Sequence, residues 1–320
     1  MTHDAVAELI GAWALDACPP DETELVEEHL ASCDTCAVEA AALREAAADL
    51  GGAYLRPPAH SLSRLLAAAP AKSPYGTQVA ALDLLLSDLT PVQWQRPALG
   101  ELTVRELVAH LAATDSLVAH ALGLPTAPPM PAPPPSPAAR TEAVLRFEEN
   151  RSPSQTHRAW RSQADEIAKA STSAGAVMVK LSRTFPLEDA LTARAYETWI
   201  HREDIASATG RPPMPPLPTH IHPMADLAAR VLPRVVSRAV ASSEAVRLHL
   251  TGPGGGTWTV PLDPASAMTS PATAITVNVV DFCRLAANRQ APSQLAITIE
   301  GDIPLAHAFL AAVPSMAPVP

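Results

Sequence analysis

Two groups of side chains in this sequence have the types and spacing to hold a metal ion. The first lies near the start: His3, then His29, Cys33 and Cys36. On a helix His29 and Cys33 stand one turn apart on one face. Cys36 comes next at Cys-x-x-Cys spacing, which lets two sulfurs grip one ion. Two imidazoles and two thiolates suit a closed tetrahedral zinc site. His3 is the weakest of the four, since a histidine so near the first residue is often solvated, and Cys18 could replace it. The second group is Glu197-Thr-Trp-Ile-His201, a carboxylate and an imidazole one helical turn apart, with His110 on an earlier helix. Two histidines and one carboxylate leave a fourth position open, as zinc sites that bind a ligand do. The chain has eleven histidines, and a lone histidine on an apolar helix is more often a packed core residue, so spacing alone does not establish this triad. Asp115, Arg194 and Asp204 are expected to be solvated helix charges, with Asp204 a weaker candidate for orienting the His201 imidazole.

The elements that must position these residues are read from apolar periodicity. Val6, Leu9, Ile10, Trp13 and Ala14 predict a helix over 4–17, broken by Pro19-Pro20. Asp21, with Glu24 three residues on, predicts a cap for a second helix to about Ala31. Asp34 predicts the cap of an Ala-rich third helix ending near Gly51-Gly52. Three short helices make too small a core without a metal staple. Residues 56–74 read as a linker holding a short amphipathic stretch, Leu62, Leu65 and Leu66. Helices are expected over 76–89, 103–122, a long stretch broken near Ser152-Pro153 and ending at about 172, and 188–208, together a four-helix bundle. Pro-dense 125–137 is expected to be an exposed loop. A helix near 222–242 precedes a change of period. Val246–Leu250, Thr257–Val260, Ala274–Val279 and Leu295–Ile299 alternate as strands, with helices near 280–288 and 303–313. The fold class is therefore mainly α with a C-terminal α+β domain. The domain ranges are 1–55, 56–74 (linker), 75–212 and 219–318.

Composition excludes several function classes. The net charge is −10, with no run of Lys or Arg. Direct binding to nucleic acid needs a basic patch, so none is expected and the zinc-like motif is not a DNA-reading finger. No apolar run is long enough to span a membrane and no signal peptide is evident, so a cytosolic protein is expected. There, paired cysteines favour metal over disulfides, with Cys18 and Cys283 unassigned. Gly254-Gly255-Gly256 lacks the Lys-Ser/Thr and helix of a phosphate loop and is expected to be a hairpin turn. His220 and His222 are expected to be solvated in a Pro-rich linker. No nucleophile elbow, dinucleotide fingerprint or internal repeat is present.

Residues 1–50 resemble the zinc-containing anti-sigma domain, whose pattern is a His or Cys near the start and then, some way on, His-x3-Cys-x2-Cys. His3, His29, Cys33 and Cys36 match it position by position, and the resemblance favours His3 over Cys18. The stretch Pro57 to Leu66 also resembles the segment C-terminal to such domains. The resemblance implies structural zinc and a sigma factor as partner, contacted through a basic or apolar surface. Members that sense thiol oxidation often carry Cys where this chain has His3, so a disulfide switch is not the expectation.

Residues 75–210 resemble the mycothiol-dependent maleylpyruvate isomerase family, related to the DinB-like bundles. Leu99-Gly100-Glu-Leu-Thr103-Val-Arg105-Glu-Leu-Val-Ala-His110-Leu and Glu197-Thr-Trp-Ile-His201-Arg-Glu-Asp204-Ile carry it. It implies a second zinc at His110, Glu197 and His201, with mycothiol or another small thiol at the open position. Residues 222–315 resemble the C-terminal domain of that family, including Ile299-Glu300-Gly301-Asp302. The family's Trp ahead of the helix bearing the first His is replaced by Glu101-Leu102, and the Pro-rich loop is long; these departures bear on turnover more than on metal binding. The favoured expectation is a zinc anti-sigma-like regulator whose bundle senses a thiol or small ligand. The alternative is a mycothiol-dependent isomerase or S-transferase with an accessory zinc unit.

Overall fold

The structure is a computed structural model that describes residues 3–15, 17–51, 74–263 and 270–317. The chain divides into two compact units, 1–71 and 72–320, each with its own core. The expected linker, with Leu62, Leu65 and Leu66, lies outside the described residues except for Pro74.

Three helices form the first unit: α1 (His3–Ala14), α2 (Pro20–Leu30) and α3 (Asp34–Gly51). Val6, Ile10, Trp13 and Ala14 of α1 are buried. Against them pack Val26 of α2 and Cys36 and Ala40 of α3. Asp21 does not cap α2. Pro19 occupies the cap, Pro20 the first helical position, and no side chain bonds back. Proline has no N–H and a fixed φ suited to a first turn, so the pair that stops α1 also starts α2. Asp21 and Asp34 instead lie in the first turns of α2 and α3, where the helix dipole favours a carboxylate.

The second unit opens with α4 (Pro74–Ser87), the short α5 (Pro91–Trp94) and the hairpin β1 (Pro97–Leu99) and β2 (Leu102–Thr103). Then come α6 (Val104–Ala121), α7 (Pro137–Glu148) and α8 (Pro153–Ser171). The hairpin β3 (Met178–Lys180) and β4 (Thr184–Pro186) leads into α9 (Leu187–Ala208). The long helical stretch is two helices, because Ser152 restarts the chain with a capping box to Gln155. α4, α6, α8 and α9 form the bundle and α7 packs on α6. Thr103 caps α6: its hydroxyl accepts from the Glu106 N–H, while the Glu106 carboxylate accepts from the Thr103 N–H at 2.9 Å. That box fixes the start of the helix carrying His110.

α10 (Pro218–Val236) begins earlier than expected, so His220 and His222 lie on a helix, not in a linker. His222 donates from Nδ1 to the carbonyls of Gly254 and Gly255, both at 3.2 Å. β5 (Ala245–Thr251) and β6 (Gly256–Pro261) form an antiparallel hairpin. β7 (Pro271–Asn278) lies parallel to β5 on its other side. After α11 (Val279–Ala286), β8 (Thr298–Gly301) pairs antiparallel with β7, and α12 (Ile303–Ala312) comes last. The strand order is β6-β5-β7-β8. The fourth strand starts later than the alternation Leu295–Ile299 predicts and runs on to Gly301, with a 3-10 turn over Pro292–Gln294 ahead of it. Gly252 and Gly254 hold positive φ at +89° and +85° in the β5–β6 turn, so the glycine triplet makes a hairpin. One continuous core runs from Tyr75 through Trp199 to Phe282 and Phe309. Helical layer and sheet thus share an interior, and the fold is mainly α with a C-terminal α+β portion.

Candidate metal centres

The first group draws on three helices. α1 supplies His3, the last turn of α2 supplies His29, Cys33 precedes α3 and Cys36 sits in its first turn. One ligand atom from each of the four residues lies within 4.8 Å of the others. His3 Nδ1 stands 3.2 Å from the Cys36 Sγ and 3.8 Å from the Cys33 Sγ. The Cys36 backbone N–H, with His3 beside it, draws the Cys33 thiol down to about 6. Burial, with Cys33 alongside, pushes the Cys36 thiol up. His29 Nε2 is buried without a hydrogen-bond partner, an expensive state for a polar atom that a coordinated ion would relieve. The donor set and this orphaned nitrogen fit a tetrahedral ion. Cys18 is elsewhere, donating to the Leu9 carbonyl at 3.7 Å, so His3 and not Cys18 joins the cluster.

The second group is also brought together. His110 faces α9 from α6, and its Nε2 donates to Glu197 Oε1 at 3.0 Å. His201 Nε2 stands 3.9 Å from the same oxygen. The two imidazoles meet edge to face with centroids 5.3 Å apart. Each outer nitrogen has its own partner. His110 Nδ1 pairs with the Thr141 hydroxyl at 3.1 Å; a hydroxyl donates or accepts and so serves either tautomer. His201 Nδ1 donates to Asp204 Oδ2 at 2.9 Å. Both Nε2 atoms therefore converge on one carboxylate oxygen while both Nδ1 atoms are held from behind, the arrangement of histidines prepared to ligate. The Glu197 side chain is 25% exposed, so the group faces solvent on one side.

Three expected surface charges are not on the surface. Asp115 and Arg194 are buried and paired, Arg194 Nε donating to Asp115 Oδ1 at 2.7 Å. Trp160 Nε1 also donates to Asp115, at 3.2 Å. Arg194 extends to Glu197 Oε2 as well, placing a cation behind the carboxylate. Burial alone would raise the Glu197 pKa, but Arg194 and His110 outweigh it and hold the carboxyl well below its usual range. Asp204 is partly buried: beyond His201 it accepts two hydrogen bonds from the Arg289 guanidinium, at 2.7 and 2.9 Å. Burial lowers the His201 pKa despite its two carboxylate neighbours, favouring the neutral ring that a metal requires. Thr114, Thr141 and Arg289 had no signal in spacing. Thr114 donates to Glu197 Oε1 at 3.4 Å, while Thr141 and Arg289 come from other helices and loops. For Arg194 and Asp204 a signal existed, three residues from Glu197 and His201.

Residues 75–206 match the family model described as "Mycothiol maleylpyruvate isomerase N-terminal domain". Residues 4–37 match the model described as "Putative zinc-finger". The chain joins these two domain types. The zinc-finger match ends just after Cys36, and the isomerase-type match holds all of His110, Glu197 and His201. Among solved structures, the crystal structure of the mycothiol-dependent maleylpyruvate isomerase and that of a point mutant are similar to the chain. Each is 18% identical with a TM-score of 0.49, over 72% of this chain and 92% of theirs. No curated protein matches the chain. Among the described residues no helix is long and apolar enough to cross a membrane.

Proposed function

We propose that the chain is a zinc-dependent regulator of the anti-sigma type. Residues 1–55 hold structural zinc through His3, His29, Cys33 and Cys36 and dock on a sigma factor. The helical region 75–212, with 219–318, holds a second zinc at His110, Glu197 and His201 and takes a thiol or small ligand at its open coordination position. We place the protein in the cytosol. The observation that carries this reading is the presence in one chain of a closed His2Cys2 set and an open His2Glu set. The first has the donors of a structural site, the second those of a site that exchanges a ligand. Joining an inhibitory module to a ligand-binding one makes a switch. Exposed Val38 on α3 and Leu25 on α2 offer apolar contacts of the helix-in-groove kind.

A second reading, a mycothiol-dependent isomerase or thiol S-transferase with an accessory zinc unit, draws on the isomerase-type match across all three triad residues. There a bound zinc would lower the pKa of a coordinated thiol. One experiment separates them. The full chain is used to capture partners from its native host, and in vitro transcription is run with and without it. Capture of one sigma factor and repression of its promoters support the regulator. Absence of both, with turnover of a thiol-conjugation substrate, supports the enzyme.

A further inference from the structure

The bundle's candidate metal ligands do not stand on the bundle alone. Two bidentate ion pairs join α9 to the segment at and after α11. Arg284 grips Glu203, with both nitrogens at 2.9 Å from the carboxylate oxygens. One residue further along α9, Arg289 grips Asp204. The pairs are alike in chemistry and geometry but differ in reach. Glu203 bonds to no candidate ligand, whereas Asp204 also takes the Nδ1 proton of His201. Asn288, just ahead of Arg289, holds a positive φ of 57°. The chain there turns out of α11, and Arg289 donates back to the Ala287 carbonyl at 2.9 Å. The guanidinium is therefore held at all three nitrogens, Nη1 by the Ala287 carbonyl and Nε and Nη2 by a carboxylate that is itself only 9% exposed.

We propose that Arg289 and Asp204 are positioning residues through which the C-terminal α+β portion fixes His201 and sets the metal affinity of the second site. Arg289 holds the Asp204 carboxylate in place with two parallel bonds, which a guanidinium makes and an ammonium does not. Asp204 then keeps His201 as the Nδ1–H tautomer, leaving Nε2 free to face Glu197 and His110. Outer partners of this kind affect metal affinity strongly because they fix ring orientation and ligand basicity. The neighbouring Arg284–Glu203 pair ties the same segments together without touching a ligand, so the structure contains its own control. The affinity claim rests on the metal reading of the triad; the claim about the imidazole does not.

The test uses the full chain and its Arg289→Gln, Arg289→Lys and Arg284→Gln variants. Each is titrated with Co(II) against a chelator, and the thiolate charge-transfer band separates the N-terminal site from the triad. Metal-free samples are examined by long-range 1H–15N NMR for the His201 tautomer. We expect Arg289→Gln to weaken cobalt at the triad about 10- to 100-fold, with partial recovery in Arg289→Lys and less than about threefold change in Arg284→Gln. His201 should be the Nδ1–H form in the wild type and a mixture in Arg289→Gln. Equal losses in both glutamine variants would mean general packing and overturn the proposal, as would no loss in either. If the wild-type triad takes no cobalt, the metal reading fails and the tautomer decides. A mixture confined to Arg289→Gln keeps the positioning role, and an unchanged His201 removes it. Should Arg289→Gln fail to fold by circular dichroism, Arg289→Lys carries the same comparison.

Discussion

Glu197 is the residue on which the second site turns, since both imidazoles and Arg194 address it. Glu197→Gln keeps the shape but removes the charge that would pair with a dication. We expect it, like His110→Ala and His201→Ala, to lose one metal equivalent by elemental analysis while the N-terminal metal stays; an unchanged count would remove the triad from consideration. Arg194 behaves differently. Replacing it by Met leaves the Asp115 carboxylate buried without its counter-charge, and breaking one half of such a pair costs about 3–5 kcal/mol. Urea unfolding of Arg194→Met should show that loss, and Asp115→Asn in the same background should recover part of it. Spacing alone put Glu197 and His201 on one helical face, whereas joining His110 to them rested on the family resemblance. Of the supporting residues, Asp204 was a weaker candidate from its place one turn after His201. Asp115, Arg194 and Asp204 look like ordinary solvated helix charges until the helices around them are placed, and Arg289 lies 85 positions from the residue it grips.

Among the elements, α1 to α3 depend most on something outside the polypeptide. Their described core is small, and their ligands come from all three helices and the turn between the last two. The double variant Cys33→Ser, Cys36→Ser should lose one metal equivalent and the helical signal of this unit, while the second unit's unfolding transition stays where it was. Loss of both transitions would contradict the separation of cores. In the second unit, the β5–β6 turn is packed against the start of α10. A Cβ on Gly254 would meet Ile221 Cγ2 at 2.5 Å and the Pro218 carbonyl at 2.6 Å, at a φ of +85°. Gly254→Ala should therefore cost about 1–3 kcal/mol in a denaturant titration. The same helix carries Arg230, whose hydrogen bonds hold Asp189 below the usual carboxylate range. A depressed folded-state pKa gives stability above the unfolded value that is lost as pH falls through the folded one. Arg230 is half exposed, so screening keeps the effect small. Asp189→Asn should cost under about 1 kcal/mol at pH 7, and its difference from wild type should vanish below both pKa values. Helices and strands were visible as periods of 3.6 and 2, and Ser152-Pro153 marked the α7–α8 break, whereas the α2 cap fell to Pro19 and not to Asp21.

At the scale of the molecule, two compact units with separate cores carry one candidate metal centre each, of opposite character. If the regulator reading holds, Val38→Asp should weaken capture of the sigma factor without changing metal content, because Val38 is 72% exposed and an unpaired charge at an apolar contact is costly. Undiminished capture would move the contact away from α3. The order of the two centres along the chain also has a consequence in time. The first closes within the opening helices. The second needs His110 to meet Glu197, 87 positions later, and Asp204 to meet Arg289 a further 85 on. Ribosomes add about 5–20 residues per second, so tens of seconds separate emergence of the first ligand set from emergence of Arg289. On the regulator reading, the nascent chain would then pass through an interval in which the N-terminal module can fold and capture a sigma factor before the ligand-binding portion has been made.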